Sequence, residues 1–314
     1  LGSSSYNVQS ILSKARTMIE RGRNYRMKPC YLDHNAGEPM SRAVVEAIHS
    51  MNRLPYGNPN SLHQLGLRSR QIIDEARTFI ARSVGAKPSH ILFTNGGSDA
   101  NQRALDHIIA STHRLGRSAN VVYGATEHPS VLAAIEEHER SGFCTGHKVR
   151  MLSNGQPDLS DLQNKLSGAD ALFLMAANNE TGVLLDTEAV ATLVEAAECR
   201  WHCDMVQILG KIPIDLGSHA WRAISSASFS SHKIAGPAGI GALIFCHQSD
   251  KHPDSIPALS AQPAIGATAN LLGMTGFHEA SKELAQRIHS MKAIRLLREE
   301  LEKRILDRWP DSTI

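Results

Sequence analysis

Phe93-Thr94-Asn95-Gly96-Gly97-Ser98-Asp99-Ala100-Asn101 reads as a strand end, a paired-glycine turn and a helix start. An apolar run over residues 90–94 leads into it, and helical periodicity over 99–111 follows. The same alternation recurs on both sides. Strands are expected at 120–123, 171–176, 200–204, 223–229 and 241–246, with helical stretches at 68–83, 130–141 and 187–197. Short apolar runs separated by longer helical segments predict an α/β fold, a mainly parallel central sheet flanked by helices. In such sheets ligands gather at the carboxyl ends of strands, and the informative polar residues fall there.

From Gly276 onward, apolar residues recur at intervals of three and four with charges opposite, as one long helical pattern that cannot make a domain alone. At 314 residues the chain exceeds what one core usually organises. The expected division is an N-terminal segment (1–27), a large domain (28–275) and the start of a smaller C-terminal domain (276–314).

Thirty-three Lys and Arg against 31 Asp and Glu give a net charge of +2, and no basic block stands out. That balance argues against a nucleic-acid or membrane-surface partner. The five cysteines, Cys30, Cys144, Cys199, Cys203 and Cys246, do not space like a secreted disulfide framework. Reduced thiols in the cytoplasm are the expectation. Residues 1–10 lack the basic start and apolar stretch of a signal peptide, and no apolar run reaches the roughly 18 residues of a membrane span.

Several loop segments carry chemistry. The Gly96-Gly97 turn lets backbone approach an anion, Ser98 adds a hydroxyl, and the helix start offers N–H groups to a phosphate. A helix merely capped by Ser98 or Asp99 would look the same. Ser230-Ser231-His232-Lys233-Ile234-Ala235-Gly236-Pro237 follows an apolar strand. A lysine held between a buried strand and a turn can lose the proton that an imine-forming amine must shed, although most single lysines are solvated surface charges. Ser230 and His232 are further phosphate donors. In His202-Cys203-Asp204-Met205-Val206-Gln207, a strand-end carboxylate could keep a pyridinium nitrogen protonated and make a cofactor ring an electron sink. A metal site from Cys199, His202 and Cys203 is the rival, but no second Cys/His pair stands at zinc-finger spacing, so no metal is expected. Thr126-Glu127-His128-Pro129-Ser130 and Asn178-Asn179-Glu180-Thr181-Gly182 also follow expected strands.

Together these five segments resemble the pyridoxal 5'-phosphate (PLP)-dependent cysteine desulfurases and selenocysteine lyases, a branch of the class V aminotransferases. The resemblance runs from Tyr31-Leu32-Asp33-His34-Asn35-Ala36 through Tyr56-Gly57-Asn58-Pro59-Asn60-Ser61-Leu62-His63 to Gly276-Phe277. It implies the fold type I PLP-dependent transferase architecture with a partial small domain. It implies that Lys233 is the Schiff-base lysine, that His128 stacks on the ring and shares proton handling with Lys233, and that Asp204 pairs with the ring nitrogen. Gln207 and Asn179 would lie near the ring oxygen and substrate, while Gly97, Ser98, Ser230 and His232 hold the phosphate. A homodimer is implied too, with Thr268 reaching the partner subunit's phosphate. The implied reaction is sulfur transfer from L-cysteine to a loop cysteine, giving alanine and a protein persulfide. A sulfur-acceptor or scaffold partner in iron–sulfur cluster assembly follows from that role.

The sequence departs from the family in three places. Residues 259–267 lack the family's arginine and glycine-rich stretch, a change that would suit a selenocysteine lyase or a β-eliminating lyase. Gly37 and Glu38 stand before Pro39 where the family has two threonines, so a charge enters a segment near the site entrance. The family's persulfide cysteine, and the arginine that grips the substrate carboxylate, lie further along than Ile314. A fragment of a longer desulfurase and a truncated, non-catalytic binding or scaffold relative are both consistent with that. In either case these 314 residues are not expected to release sulfur at an enzyme-like rate, because sulfur transfer needs a thiolate.

Overall fold

The computed structural model describes residues 30–246 and 269–313. The chain divides into two compact units, Leu1–His34 and Asn35–Ile314. In the first, the Tyr31 hydroxyl donates to the Asp33 carbonyl at 2.8 Å and the Tyr31 ring lies 5.2 Å from that of His34.

The second unit is built on a seven-stranded sheet. Its strands are β1 (Ile91–Thr94), β2 (Ala119–Gly124), β3 (Cys144–Val149), β4 (Ala171–Phe173), β5 (Arg200–Asp204), β6 (Ile224–Ser230) and β7 (Gly241–Phe245), in the order β1-β7-β6-β5-β4-β2-β3. All pairings are parallel except those of β7, which runs antiparallel to β1 and β6. The mainly parallel α/β reading therefore holds.

Side chains alternate between the two faces, as the pleat requires. Val122, Leu172 and Ile244 enter one core with Trp201, Phe229 and Phe277. Their neighbours Val121, Phe173 and Leu243 enter a second core on the opposite face. The second core is covered by α3 (Gly97–His113) and α4 (Pro129–Arg140), through Leu105, Ile109 and Ile135. The first is covered by α1 (Arg42–Asn52), α2 (Gln64–Ser83), α5 (Leu159–Leu166), α6 (Thr187–Ala196) and α7 (Leu271–Lys282). The strand and helix positions expected from sequence agree within a few residues.

The structure differs from the sequence reading in four places. β3 was not expected, because an edge strand of the composition Cys-Thr-Gly-His-Lys-Val buries only its two ends. The eight-residue α5 fell below the length that periodicity needs, whereas α1, with Val44, Ile48 and Met51 on one face, carries an amphipathic pattern that the sequence reading passed over. The single C-terminal helical pattern is two helices, α7 and α8 (Leu284–Arg308), parted at Glu283, whose carboxylate accepts from Ser41 Oγ at 2.9 Å. α7 is packed into the core, whereas in α8 only Leu284 is buried. Among the described residues no helix is long and apolar enough to cross a membrane.

Candidate active site

β2, β4, β5 and β6 run parallel, and β1, antiparallel to β7, runs in their direction, so the loops that follow these five strands share one edge of the sheet. Lys233 ends a short 3-10 turn, Ser231–Lys233, directly after β6. Its ammonium donates to the carbonyls of Asn35 and, at 2.9 Å, Ala36. The Gln207 amide donates to the same Asn35 carbonyl at 3.2 Å, so Lys233 and Gln207 converge on one oxygen. Lys211, which sequence reasoning missed, ties this corner together by donating to Gln207 Oε1 at 2.9 Å and Asn35 Oδ1 at 2.7 Å. Burial, and then the charge of Lys233, lower the Lys211 pKa. Glu38, the unexpected charge, pairs with Arg287 of α8.

The start of α3 has features that suit an anion. α3 begins at Gly97 with no side-chain cap, and its N-cap Gly96 adopts φ +133°, a conformation that favours glycine. Nothing stands within 4 Å of where a Gly96 side chain would be. A Cβ on Gly97, by contrast, would sit 2.6 Å from Val206 Cγ2 and 3.7 Å from Ser230 Cβ. The turn thus packs against the loop after β5 and the end of β6, where Ser230 Oγ bonds His232 Nδ1 at 2.8 Å. Burial, with Lys233 adding to it, lowers the His232 pKa and leaves the imidazole more neutral than usual. Ser98 is exposed on the first turn of α3.

Asp204 ends β5 and is buried. Burial raises its pKa, while hydrogen bonds from Asn101 and from the Val206 N–H, with the charges of His128 and Lys233, pull it back. Asn101 Nδ2 reaches Asp204 Oδ2 at 2.7 Å and the Val206 N–H reaches Oδ1 at 2.9 Å. His128 is the N-cap of α4, followed by Pro129 in the first helical position, where a missing N–H costs nothing. Its Nδ1 accepts from the Ser130 N–H at 3.1 Å and lies 2.7 Å from Ser130 Oγ.

Two further residues lock the loops. The buried Glu127 carboxyl accepts from the Met175 N–H at 2.9 Å, joining the loop that carries His128 to the one after β4. Burial holds its pKa well above the carboxylate range, and nearby Asp204 adds to that. Of the two asparagines, Asn178 joins the same loops by donating to the Thr126 carbonyl at 3.0 Å. Asn179, singled out from sequence, instead has its amide on Glu180 at 2.6 Å and is not drawn toward the other residues. Thr268 lies outside the described residues.

The rival metal reading finds no support in the side chains. His202 is ringed by Ser226, Ser228 and Asn101, and no group of three or more His, Cys, Asp or Glu among the described residues is placed to hold a metal. Cys144, Cys199, Cys203 and Cys246 are all buried, and burial raises each thiol, to about 11 for Cys144 and about 12 for Cys199 and Cys246, with Cys203 well above its ordinary value. Since the thiolate is the reactive form, a thiol reagent applied to the native protein is expected to label the exposed Cys30 and to spare these four. Rapid labelling of Cys203 in the folded protein, read by peptide mapping, would contradict this packing.

The model of the aminotransferase class-V family matches residues 30–306, a span that takes in the whole sheet and every helix described above but for the last two residues of α8. The chain belongs to the class V aminotransferases. It is 32% identical over 287 residues to a cysteine desulfurase of Sinorhizobium fredii, covering 90% of this chain and 73% of that one. A cysteine desulfurase of Cereibacter sphaeroides is also 32% identical, over 290 residues, covering 92% of this chain and 73% of the relative. Among solved structures, a NifS-like protein from Rickettsia africae superposes with a TM-score of 0.73 at 27% identity, over 90% of this chain and 76% of that one. These likenesses place the class V chain in the fold type I architecture of PLP-dependent transferases.

Proposed function

We propose that this chain binds PLP at the sheet edge and is a cysteine desulfurase, taking sulfur from L-cysteine and leaving alanine. The observation that carries the reading is that one edge of the sheet carries Lys233, an uncapped helix start, a buried carboxylate and a histidine with a fixed acceptor nitrogen. The donor set fits the cofactor. Gly97 and Ser98 at the start of α3, with Ser230 and His232, would hold its phosphate. Asp204 would hold a proton on the ring nitrogen, and Lys233 would anchor the aldehyde covalently. When bound, PLP supplies an electrophilic carbonyl for amines and a ring that accepts electron density.

The chain's own residues do the rest. His128, whose Nδ1 is occupied as an acceptor, holds or moves a proton at Nε2. The Lys233 amine would hold or move a second proton beside the bound cofactor. Gln207 and Lys211 keep the Asn35 carbonyl in place beside it. Names of the relatives favour a desulfurase over a selenocysteine lyase or a scaffold. A homodimer completed by Thr268, the division at residue 275, a cytoplasmic location and a sulfur-accepting partner in iron–sulfur cluster assembly belong to the same proposal.

The rate of turnover depends on a sulfur-accepting thiolate, which the four buried cysteines do not supply. Carbon product, rather than rate, is therefore the test. Loaded with PLP and given L-cysteine together with an added small thiol that accepts the sulfur as its persulfide, the protein is expected to form alanine slowly, detected by chromatography. Pyruvate and ammonia in place of alanine would mark β-elimination and contradict the proposal.

A further inference from the structure

Behind the candidate site runs a buried polar network that the reading of single motifs does not use. Asn101, one turn into α3, is 1% exposed and His202, in the middle of β5, is 3% exposed. Asn101 Nδ2 donates to Asp204 Oδ2 at 2.7 Å and to Ser130 Oγ at 3.1 Å, which uses both of its N–H groups. A flipped amide would set Oδ1 against the Asp204 carboxylate, so the aspartate fixes the orientation. Asn101 Oδ1 must then accept, and its partner is His202 Nε2 at 3.0 Å.

That assignment settles the protons along the whole path. Burial lowers the His202 pKa to about 3, so the ring is neutral and carries its single hydrogen on Nε2. Its Nδ1 is left to accept from Ser226 Oγ at 2.8 Å, and Ser228 Oγ stands 3.0 Å from Nε2 as a second acceptor. At the other end, Ser130 Oγ accepts from Asn101, which frees its own hydrogen to point at His128 Nδ1, 2.7 Å away. The Ser130 N–H points at the same nitrogen. His128 therefore keeps its proton on Nε2 when neutral.

We propose that Asn101 and His202 are positioning residues that hold the Asp204 carboxylate and the His128 ring in one directed hydrogen-bond chain. Asn101 is the branch point: one amide orients both groups, and His202 orients the amide. The roles of Asp204 and His128 toward PLP rest on the function proposed above, whereas the direction of the chain rests on the network alone. Losing a hydrogen bond to a charged group typically weakens an interaction by roughly ten- to a hundredfold.

The test compares Asn101→Leu, His202→Leu, His202→Gln and Asp204→Ala with the parent protein, by PLP affinity and by the nitrogen NMR shifts of His128 without PLP. Asn101→Leu is expected to weaken PLP binding by roughly ten- to a hundredfold, and to move the His128 shifts from a single tautomer toward a mixture. His202→Leu should follow it in part. His202→Gln, which keeps a neutral N–H donor, should stay near the parent, a rescue that simple packing would not give. Should Asn101→Leu not fold, Asn101→Ser carries the same test, since its shorter side chain does not reach Asp204. The inference is overturned if a folded Asn101 variant leaves the His128 shifts unchanged, or if His202→Gln and His202→Leu behave alike. If Asp204→Ala leaves PLP affinity unchanged while the His128 shifts respond to Asn101, the role of Asp204 in cofactor binding fails and the directed chain stands.

Discussion

Replacing Lys233 by alanine is expected to abolish covalent retention of PLP and, with it, alanine formation from L-cysteine. The variant should still bind the cofactor weakly, because the start of α3, Ser98, Ser230 and His232 are untouched. Gel filtration then strips PLP from the variant and leaves it on the parent protein, as read by visible absorption. The expectation is specific to Lys233 because the second ammonium nearby, Lys211, is held by the Gln207 and Asn35 side chains. A variant that keeps cofactor through gel filtration, or that forms alanine at the parent's rate, would remove Lys233 from its role.

Asp204→Ala carries the second large effect. Burial raises the pKa of this carboxyl, while two hydrogen-bond donors and the charges of His128 and Lys233 work against that, so a protonated ring nitrogen would be the partner that holds it ionised. Loss of the carboxylate should weaken PLP binding by roughly ten- to a hundredfold, the worth of one charge-assisted hydrogen bond. The absorption band should shift as the ring nitrogen loses its proton. Asp204→Asn, which keeps the shape and removes the charge, should give the same band shift. An unaltered spectrum and affinity in both variants would make Asp204 a purely structural residue.

Much of this was legible in the sequence, for identifiable reasons. Runs such as Ala-Leu-Phe in β4 and Gly-Ala-Leu-Ile-Phe in β7 are wholly buried, so they stand out as continuous apolar segments. The candidate site residues lie at or just past the ends of such runs, which is why Lys233, Asp204, His128 and the Gly96-Gly97 turn were singled out one motif at a time. What stayed hidden depends on contacts between distant positions. Asn101 and Asp204 are 103 residues apart, and Glu127 meets Met175 across 48. One local signal was available and unused. His202 and Asp204 are two apart on β5, and Ser226 and Ser228 sit opposite them in register on β6, so all four share one face of the sheet. Polar residues repeating at period two inside otherwise buried strands mark a network and not a solvated face. That Asn178 bonds Thr126 while Asn179 bonds Glu180 lay beyond sequence reading, since only the fold shows it.

The central claim, that the converging loops form a PLP site anchored at Lys233, is tested most directly by trapping the bond. The protein is incubated with PLP, reduced with borohydride, digested and mapped by mass spectrometry. The account predicts a single pyridoxyl-phosphate modification on Lys233. Stable modification of Lys211 or another lysine in its place, or no incorporation by the folded protein, would contradict it.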